Sequence, residues 1–131
     1  RIHKAKKDGL KSVNIWGTGN VKREFLYVDD LASASFHIMN FEKKIFDRHI
    51  DDTCSHINVG TGKDITIKDL ALTIKNVINY NGELRFDISK PDGTPRKLLD
   101  VTKINQLGWK YKTELIDGLK LTYKDFNSNK K

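Results

Sequence analysis

The segment from Thr66 to Asn79 constrains the fold most, because it carries the strongest periodic pattern in the chain. Its apolar side chains recur at offsets of 0, 3, 4, 7, 10 and 11 residues, a spacing typical of an amphipathic helix. The resulting stripe consists of Ile67, Leu70, Ala71, Ile74, Val77 and Ile78. Thr66 and Asp69 have the spacing of a capping box, with Asp in place of the usual Glu. The pattern therefore predicts a helix over 66–79 with one buried face.

Four short runs of apolar, β-branched and aromatic residues are typical of strands. They are Val13–Trp16, Arg23–Val28, Ile57–Val59 and Leu84–Phe86. The first run leads into Gly17-Thr18-Gly19, and the third leads into Gly60-Thr61-Gly62. Neither pair of glycines has the spacing of a dinucleotide-binding loop, so we interpret both as turns.

Further helices are predicted on the amino-terminal side of the periodic segment. Residues 1–12 read as the end of a helix that enters the domain, with no capping residue before it. Asp29 and Asp30 are adjacent carboxylates, and either is expected to cap a helix that starts near Leu31. Capping accounts for the two carboxylates better than a catalytic role does.

The remaining segments complete an α/β pattern. A short helix is predicted to stop at Gly108, and another helix is predicted over 114–126. Residues 43–55 read as a loop, as do residues 90–97, which contain both prolines. Residues 127–131 are expected to be a disordered tail. We therefore predict an α/β fold of short strands and several helices, without a complete doubly wound parallel sheet.

Composition limits the possible partners. The net charge is +7, from 24 basic and 17 acidic residues, and it favours an anionic partner. The sequence shows neither zinc-ligand spacing nor an aromatic and basic cluster, which argues against a metal and against nucleic acid. No apolar run approaches the roughly 20 residues of a membrane span, and no signal peptide is visible.

The cysteine and histidine content gives no independent sign of catalysis. Cys54 is the only cysteine, so an internal disulfide is impossible and a reducing compartment is expected. A reactive thiol needs a neighbouring group that lowers its pKa. His56 is two residues away but is expected to be structural, and Cys54 is expected to be inert.

Five stretches together resemble one group of enzymes. They are 16–19 (WGTG), 23–32 (REFLYVDDLA), 56–62 (HINVGTG), 90–100 (KPDGTPRKLLD) and 107–109 (LGW). In this order and spacing they resemble the GDP-L-fucose synthases of the extended short-chain dehydrogenase/reductase family. The stretch 90–100 is the most specific of the five. The resemblance implies that residues 1–131 form the small carboxy-terminal substrate-binding domain, with the Rossmann domain mostly absent.

The resemblance also implies substrate-binding roles for five residues. Arg23 matches an arginine that contacts the substrate diphosphate, and Trp16 matches a tryptophan that lines the same pocket. Arg1 matches a substrate-contacting arginine, and Lys97 matches a basic residue near the nucleotide. Asp92 lies where related enzymes have an acidic residue near the ribose. Without the resemblance, Arg23 would read as a solvated edge charge and Trp16 as core packing.

The family resemblance implies that the parent enzyme makes GDP-L-fucose from GDP-4-keto-6-deoxy-D-mannose. It epimerises carbons 3 and 5 and then reduces carbon 4 with NADPH. The NADP(H)-binding loop and the catalytic residues lie upstream of Arg1 in the family. The isolated chain is therefore expected to be a fragment without reductase activity. The resemblance further implies a cytoplasmic enzyme that forms a homodimer through the missing domain.

Two alternatives remain open from the sequence. The chain could be a stand-alone module that binds a nucleotide sugar or another polyanion. It could also belong to a sister epimerase or dehydratase, against which the stretch 90–97 argues. Glu83 falls where some relatives carry arginine, which leaves the charge at that edge of the pocket undecided.

Overall fold

The computed structural model describes residues 1–48, 50 and 56–128, and they contain both short strands and helices. The elements are α1 (Ile2–Lys7), β1 (Ser12–Trp16), β2 (Lys22–Glu24), α2 (Val28–Met39), α3 (Lys43–Phe46), β3 (Asp64–Thr66), α4 (Ile67–Ile78), β4 (Glu83–Asp87), β5 (Arg96–Lys97), α5 (Thr102–Gln106) and α6 (Leu115–Ser128). The predicted α/β class is confirmed. Cys54 lies outside the described residues.

The strands of the described residues form two small sheets. One contains β1 and β4, which run parallel and pair from Ser12 with Glu83 to Trp16 with Asp87. The other has the order β3-β2-β5, and β2 and β5 also run parallel. Part of a parallel α/β arrangement is therefore present, and a complete doubly wound sheet is not seen in this part of the chain.

The chain divides into two compact units. The first contains residues 1–23, residues 64–97 and the residues from Ile116 onward, and the second contains residues 24–63 and 98–115. Assignment of the whole chain to one substrate-binding domain stays a prediction. No helix of the described residues is both long and apolar enough to cross a membrane.

The core of the first unit forms around the predicted amphipathic helix. Ile2, Ala5, Ile78 and Tyr80 are buried together, which packs α1 and α4 against each other. Thr66 caps α4 as predicted, because its hydroxyl accepts the backbone N–H of Asp69 at 3.0 Å. The same hydroxyl donates to the Asp69 carboxylate at 2.6 Å. The predicted cap is therefore confirmed, although the Asp69 carboxylate bonds the Thr66 hydroxyl and not the Thr66 backbone N–H of a full capping box.

The core of the second unit contains a buried carboxylate whose role differs from the prediction. Helix α2 begins at Val28, so Asp29 and Asp30 lie within its first turn and neither is the capping residue. Asp30 is buried and accepts the backbone N–H groups of Lys112 and Thr113, at 3.2 and 2.9 Å. The capping prediction is wrong because these two distant donors take the carboxylate of Asp30.

One predicted strand is only partly right, and another is wrong. The run 23–28 is a strand only as far as Glu24, and 57–59 is not a strand. The pairing of β2 with β5 involves only Lys22 and Arg23. The apolar residues after Glu24 therefore continue past the end of this pairing, and strand propensity without a partner strand is a weak determinant of structure. Ile57 and Val59 instead pack against the buried cluster of Ala34.

Four segments also differ from prediction. The first helix stops at Lys7, well before residue 12. The predicted loop over 43–55 contains helix α3, and the predicted loop over 90–97 ends in strand β5. Helix α6 continues to Ser128, whose hydroxyl donates to the Lys124 carbonyl at 3.0 Å. Residues 127 and 128 are therefore helical rather than part of a tail.

Candidate functional site

The turn after β1 lies against the loop that follows β4. Thr18 donates its backbone N–H to Asp92 Oδ1 at 2.9 Å and its hydroxyl to Asp92 Oδ2 at 2.6 Å. Gly17 adopts φ of 81°, and a Cβ atom there would come within 3.0 Å of the Asp92 carboxylate. Glycine at this position therefore permits both the left-handed backbone and the close approach of the loop.

Asp92 thus has a clear structural contact besides its predicted role near a ribose. Its two carboxylate oxygens hold residues 90–95 against the Gly17–Gly19 turn. An ionised carboxylate has about four lone-pair positions, so these two bonds leave acceptor capacity for a ligand hydroxyl. Sequence reasoning missed Thr18, which is 74 residues from Asp92, although a hydroxyl between two glycines was a visible signal.

Trp16 ends β1 with its indole exposed. The side chain is 60% exposed, so it is not a core residue. The guanidinium carbon of Arg1 lies 4.4 Å from the centroid of the indole ring, a cation–π geometry. Arg1 also donates from Nη1 to the Asn14 carbonyl at 3.4 Å. The structure therefore brings together two of the predicted substrate-binding residues.

Backbone carbonyls hold the guanidinium of Arg23 in place. Its Nη1 donates to the carbonyl of Lys22 at 2.6 Å and to that of Thr94 at 2.7 Å. A guanidinium carries five N–H donors in one plane, so Nε and Nη2 keep donors for another acceptor. The two bonds fix the plane in which those remaining donors point.

Arg23 and Lys97 are register partners on the parallel strands β2 and β5. Side chains alternate between the two faces of a strand, so register partners share one face. Like charges in opposed positions repel, and an anion between them removes that cost. Within residues 1–48, 50 and 56–128, no acidic side chain forms an ion pair with either residue.

The neighbouring register pair differs in its electrostatics. Lys22 pairs with Arg96 one position earlier, and so on the opposite face of the two strands. The Nε of Arg96 contacts the carboxylate of Asp64, so this pair is partly neutralised. The face that carries Arg23 and Lys97 is therefore the more positively charged of the two, because neither of these residues forms an ion pair in the described part of the chain.

The two carboxylates at the ends of β4 are held by local bonds. The hydroxyl of Ser89 donates to Asp87 Oδ1 at 2.6 Å, and it is the main reason that the pKa of Asp87 lies below its ordinary value of 3.8. Glu83 forms an exposed ion pair with Arg85 at 2.9 Å, which offsets the acidic charge at that position.

The five predicted residues thus form two groups within the first unit, joined at the loop 90–97. Arg1 stacks on Trp16, and Arg23 pairs with Lys97. Asp92 bonds to the turn after Trp16, and Thr94 in the same loop bonds to Arg23. The described contacts do not join Arg1 or Trp16 directly to Arg23 or Lys97. Within the described residues, no group of three or more His, Cys, Asp or Glu is arranged to hold a metal ion.

Comparison with known proteins finds sequence similarity to GDP-L-fucose synthases. Residues 1–60 match the NAD dependent epimerase/dehydratase family. The chain is 50% identical to GDP-L-fucose synthase of Escherichia coli over 129 residues, which are 98% of the chain and 40% of that protein. It therefore spans about two-fifths of the length of this curated relative.

Solved structures of GDP-sugar enzymes are also similar to this chain. A GDP-mannoheptose C4 reductase from Campylobacter jejuni with NADP bound is 42% identical, with a TM-score of 0.78 over 96% of this chain and 42% of that one. A GDP-L-fucose synthetase from Naegleria fowleri is 27% identical, with a TM-score of 0.81 over 98% of this chain and 37% of that one.

These matches cover 96–98% of the chain at 27–50% identity, and they agree with the short-stranded α/β architecture described above. The chain therefore belongs to the extended short-chain dehydrogenase/reductase family, where it is related to the GDP-L-fucose synthases.

Proposed function

We propose that this chain is the GDP-sugar-binding portion of a protein that makes GDP-L-fucose from GDP-4-keto-6-deoxy-D-mannose. The parent would epimerise carbons 3 and 5 and reduce carbon 4 with NADPH. The single observation that carries the binding role is the pairing of Arg23 with Lys97 on adjacent parallel strands. The 50% identity to the Escherichia coli synthase supports the reaction.

In this proposal the diphosphate binds between Arg23 and Lys97. A diphosphate presents several anionic oxygens, and a guanidinium fork can bond two of them while an ammonium supplies a point charge. The carbonyl bonds from Lys22 and Thr94 orient the fork before the ligand arrives. Such preorganisation lowers the cost of binding because less side-chain freedom is lost.

The remaining predicted residues would bind the other parts of the nucleotide sugar. The exposed indole of Trp16 offers an apolar face for a base or a sugar ring, and Arg1 already lies over it. Asp92 keeps lone pairs that can accept a ribose hydroxyl. These residues position the substrate and neutralise its charge, and they transfer neither protons nor hydride.

The proposal places the NADP(H) site and the homodimer interface in the part of the parent that this chain does not contain. The two Gly-Thr-Gly turns lack the dinucleotide spacing, so neither is suited to hold the pyrophosphate of the cofactor. We expect no turnover when the purified 131-residue chain is supplied with NADPH and the keto-sugar. Measurable NADPH oxidation would contradict this assignment.

Calorimetric titration of GDP into the chain tests the binding role. Arg23→Gln and Lys97→Gln should each weaken GDP binding by roughly tenfold or more, since bonds to charged groups are strong. Lys22→Gln is the matched control, because Lys22 lies on the same strand but faces the other way. Equal losses in all three variants would mean that only net charge matters, which would contradict the proposed site.

A second candidate within the same class is a parent that acts on a different GDP-sugar. The 42% identity to a GDP-mannoheptose C4 reductase favours it. The five residues of the candidate site recognise the nucleotide and its phosphates, so they fit either sugar. The candidates therefore differ only through other residues that contact the sugar. In titrations of this chain, tighter binding of GDP-L-fucose than of GDP-D-mannose favours the fucose-forming parent, and tighter binding of GDP-D-mannose favours the other candidate.

A stand-alone polyanion module is the alternative from a different class. It predicts tight RNA binding that weakens steeply with salt and no saturable response to GDP. A short single-stranded RNA titrated at two salt concentrations, beside GDP, decides between the two.

A further inference from the structure

The carboxylate of Glu24 accepts hydrogen bonds from two separate backbone segments of the second unit. Its Oε1 accepts the backbone N–H groups of Thr61 and Gly62, at 2.5 and 2.6 Å. Its Oε2 accepts the backbone N–H of Leu99 at 3.0 Å. The hydroxyl of Thr61 adds a fourth bond at 3.2 Å. One half-buried carboxylate thus fixes the end of β2, the 60–62 turn and the segment after β5.

The backbone around this carboxylate is built to admit it. A Cβ atom at Gly60 would come within 3.0 Å of the carboxylate carbon and of Oε1 of Glu24. Any side chain at position 60 would therefore displace the carboxyl group, and displacement would break its short bonds to the turn. A substitution at Gly60 and a substitution at Glu24 are therefore expected to disturb the same contact.

The position of Glu24 in the chain relates it to the proposed anion site. Glu24 directly follows Arg23, and Leu99 is two residues after Lys97. Arg23 and Lys97 are register partners, and a parallel pair as short as β2 and β5 has few ladder bonds of its own. The hydrogen bond from the Leu99 backbone to Glu24 therefore ties the chain after β5 to the end of β2, directly after Lys97 and Arg23.

We propose that Glu24 is a positioning residue for diphosphate binding, which acts by holding Arg23 and Lys97 in the register that brings their charges together. This inference rests on the proposed function, because it concerns the same two cations. Glu24 itself does not touch the diphosphate: its carboxylate oxygens are occupied by backbone donors, and a carboxylate would repel phosphate.

The test compares GDP and GMP binding in variants of the full 131-residue chain. Glu24→Gln keeps the size of the side chain but replaces one acceptor oxygen with an NH₂ group, so one branch of the clamp becomes a contact between two donors. We expect GDP affinity to fall by roughly tenfold and GMP affinity to fall less, since the paired cations are proposed to serve a diphosphate. Gly60→Ala should reproduce this change in the ratio of GDP to GMP affinity.

Two controls separate positioning from general destabilisation. Glu42→Gln makes the same chemical change at an exposed site, and should leave both affinities unchanged. Glu24→Asp keeps the charge one methylene shorter, and should restore part of the GDP preference. Hydrogen exchange of the Thr61, Gly62 and Leu99 amides reports the clamp directly, and these amides should be protected only in chains that retain it.

Each outcome bears on the inference. Loss of amide protection together with an unchanged ratio of GDP to GMP affinity would overturn the positioning role and leave the proposed function standing. Failure of the unaltered chain to bind GDP would overturn the proposed function, and the positioning role with it. If Glu24→Gln fails to fold by circular dichroism, the Gly60→Ala and Glu24→Asp chains decide the question by the same ratio.

Discussion

Asp92 and Thr18 are joined by two hydrogen bonds, one to the backbone nitrogen of Thr18 at 2.9 Å and one to its hydroxyl at 2.6 Å. This pair connects the loop that carries the most specific sequence stretch to the turn after the exposed indole of Trp16. Both residues are exposed, so the contact organises a surface rather than a core.

Thr18→Val should loosen this contact while preserving the shape of the side chain. The variant loses the hydroxyl donor but keeps the backbone donor, so we expect a loss of unfolding free energy of about 1 kcal/mol. Urea denaturation measures the loss, and hydrogen exchange should rise in residues 90–95. Thr122→Val, an exposed threonine in α6, is the control. Equal losses in the two variants would contradict a specific role for the Thr18 hydroxyl.

Arg23→Lys separates charge from geometry in the proposed anion site. Lysine keeps the positive charge but has no planar fork, so it cannot keep the carbonyl bonds and also present two parallel donors. GDP affinity should fall by roughly tenfold, while its dependence on salt stays similar. Lys22→Arg, on the other face of the strand, should leave affinity unchanged. Full retention of affinity in the Arg23→Lys chain would show that the fork is unnecessary.

Thr66→Ala should destabilise the chain through helix α4. The substitution removes the side chain that caps the backbone N–H of Asp69, a loss of about 1 kcal/mol. Thr66→Ser keeps the hydroxyl and should stay close to the unaltered chain. Chemical denaturation followed by circular dichroism compares the three. If serine is as damaging as alanine, the cap is not the source of the effect.

Asp87 provides a prediction for pH. Its folded pKa lies below the ordinary 3.8, chiefly because the Ser89 hydroxyl bonds the ionised form. Folding therefore favours the carboxylate, and this contribution is present above pH 3.8 and disappears as pH falls through the lower folded pKa. Ser89→Ala should move the pKa of Asp87 back toward 3.8.

Carboxyl carbon NMR during an acid titration measures this change. Asp100 serves as an internal reference, because its pKa is lowered by Thr102 rather than by Ser89. The titration of Asp100 should be the same in both chains. An unchanged Asp87 titration in the Ser89→Ala chain would contradict the assigned cause.

Helix α2 exposes a set of large apolar side chains, and a fluorescent probe of apolar surface such as ANS should bind there. Phe36 and Met39 are 71% and 82% exposed. Replacing both with Gln, a good helix former, should lower ANS fluorescence and change the unfolding free energy by only about 0.5 kcal/mol. Ala34→Ser, at a buried position on the same helix, should instead lower stability. Unchanged fluorescence in the double variant would place the dye elsewhere.

Sequence reasoning succeeded where short-range physics decides the structure. The cap of helix α4 by Thr66 was predictable, since its determinants lie within a few residues. Strand β1 was predictable from its β-branched pattern, although its partner β4 lies far away in the chain. It failed at Asp30, because nothing near that residue indicates that Lys112 and Thr113 will donate to it. The prediction of a strand beyond Glu24 was wrong for a similar reason, since a strand depends on a partner from elsewhere in the chain.

In the candidate site, too, the sequence indicated the residue types but not the contacts between distant residues. The residue types of Arg23 and Lys97 were available from the sequence and its family resemblance, but their pairing needed the strand register. The contact of Thr18 with Asp92 spans 74 residues, and the clamp of Glu24 on Leu99 spans 75. Contacts at such separations leave no local pattern, so only the fold reveals them.

The close approach of Asp92 to Gly17 makes these two positions dependent on each other in any altered chain. A side chain at 17 must expel the carboxylate, in addition to bearing the strain of a positive φ. Shortening position 92 to alanine would remove the steric part of that penalty and leave the strain. The two substitutions are therefore expected to be epistatic, with Gly17→Ala less harmful in the Asp92→Ala background than in the unaltered chain. A library that varied position 17 alone would underestimate how many sequences this turn accepts.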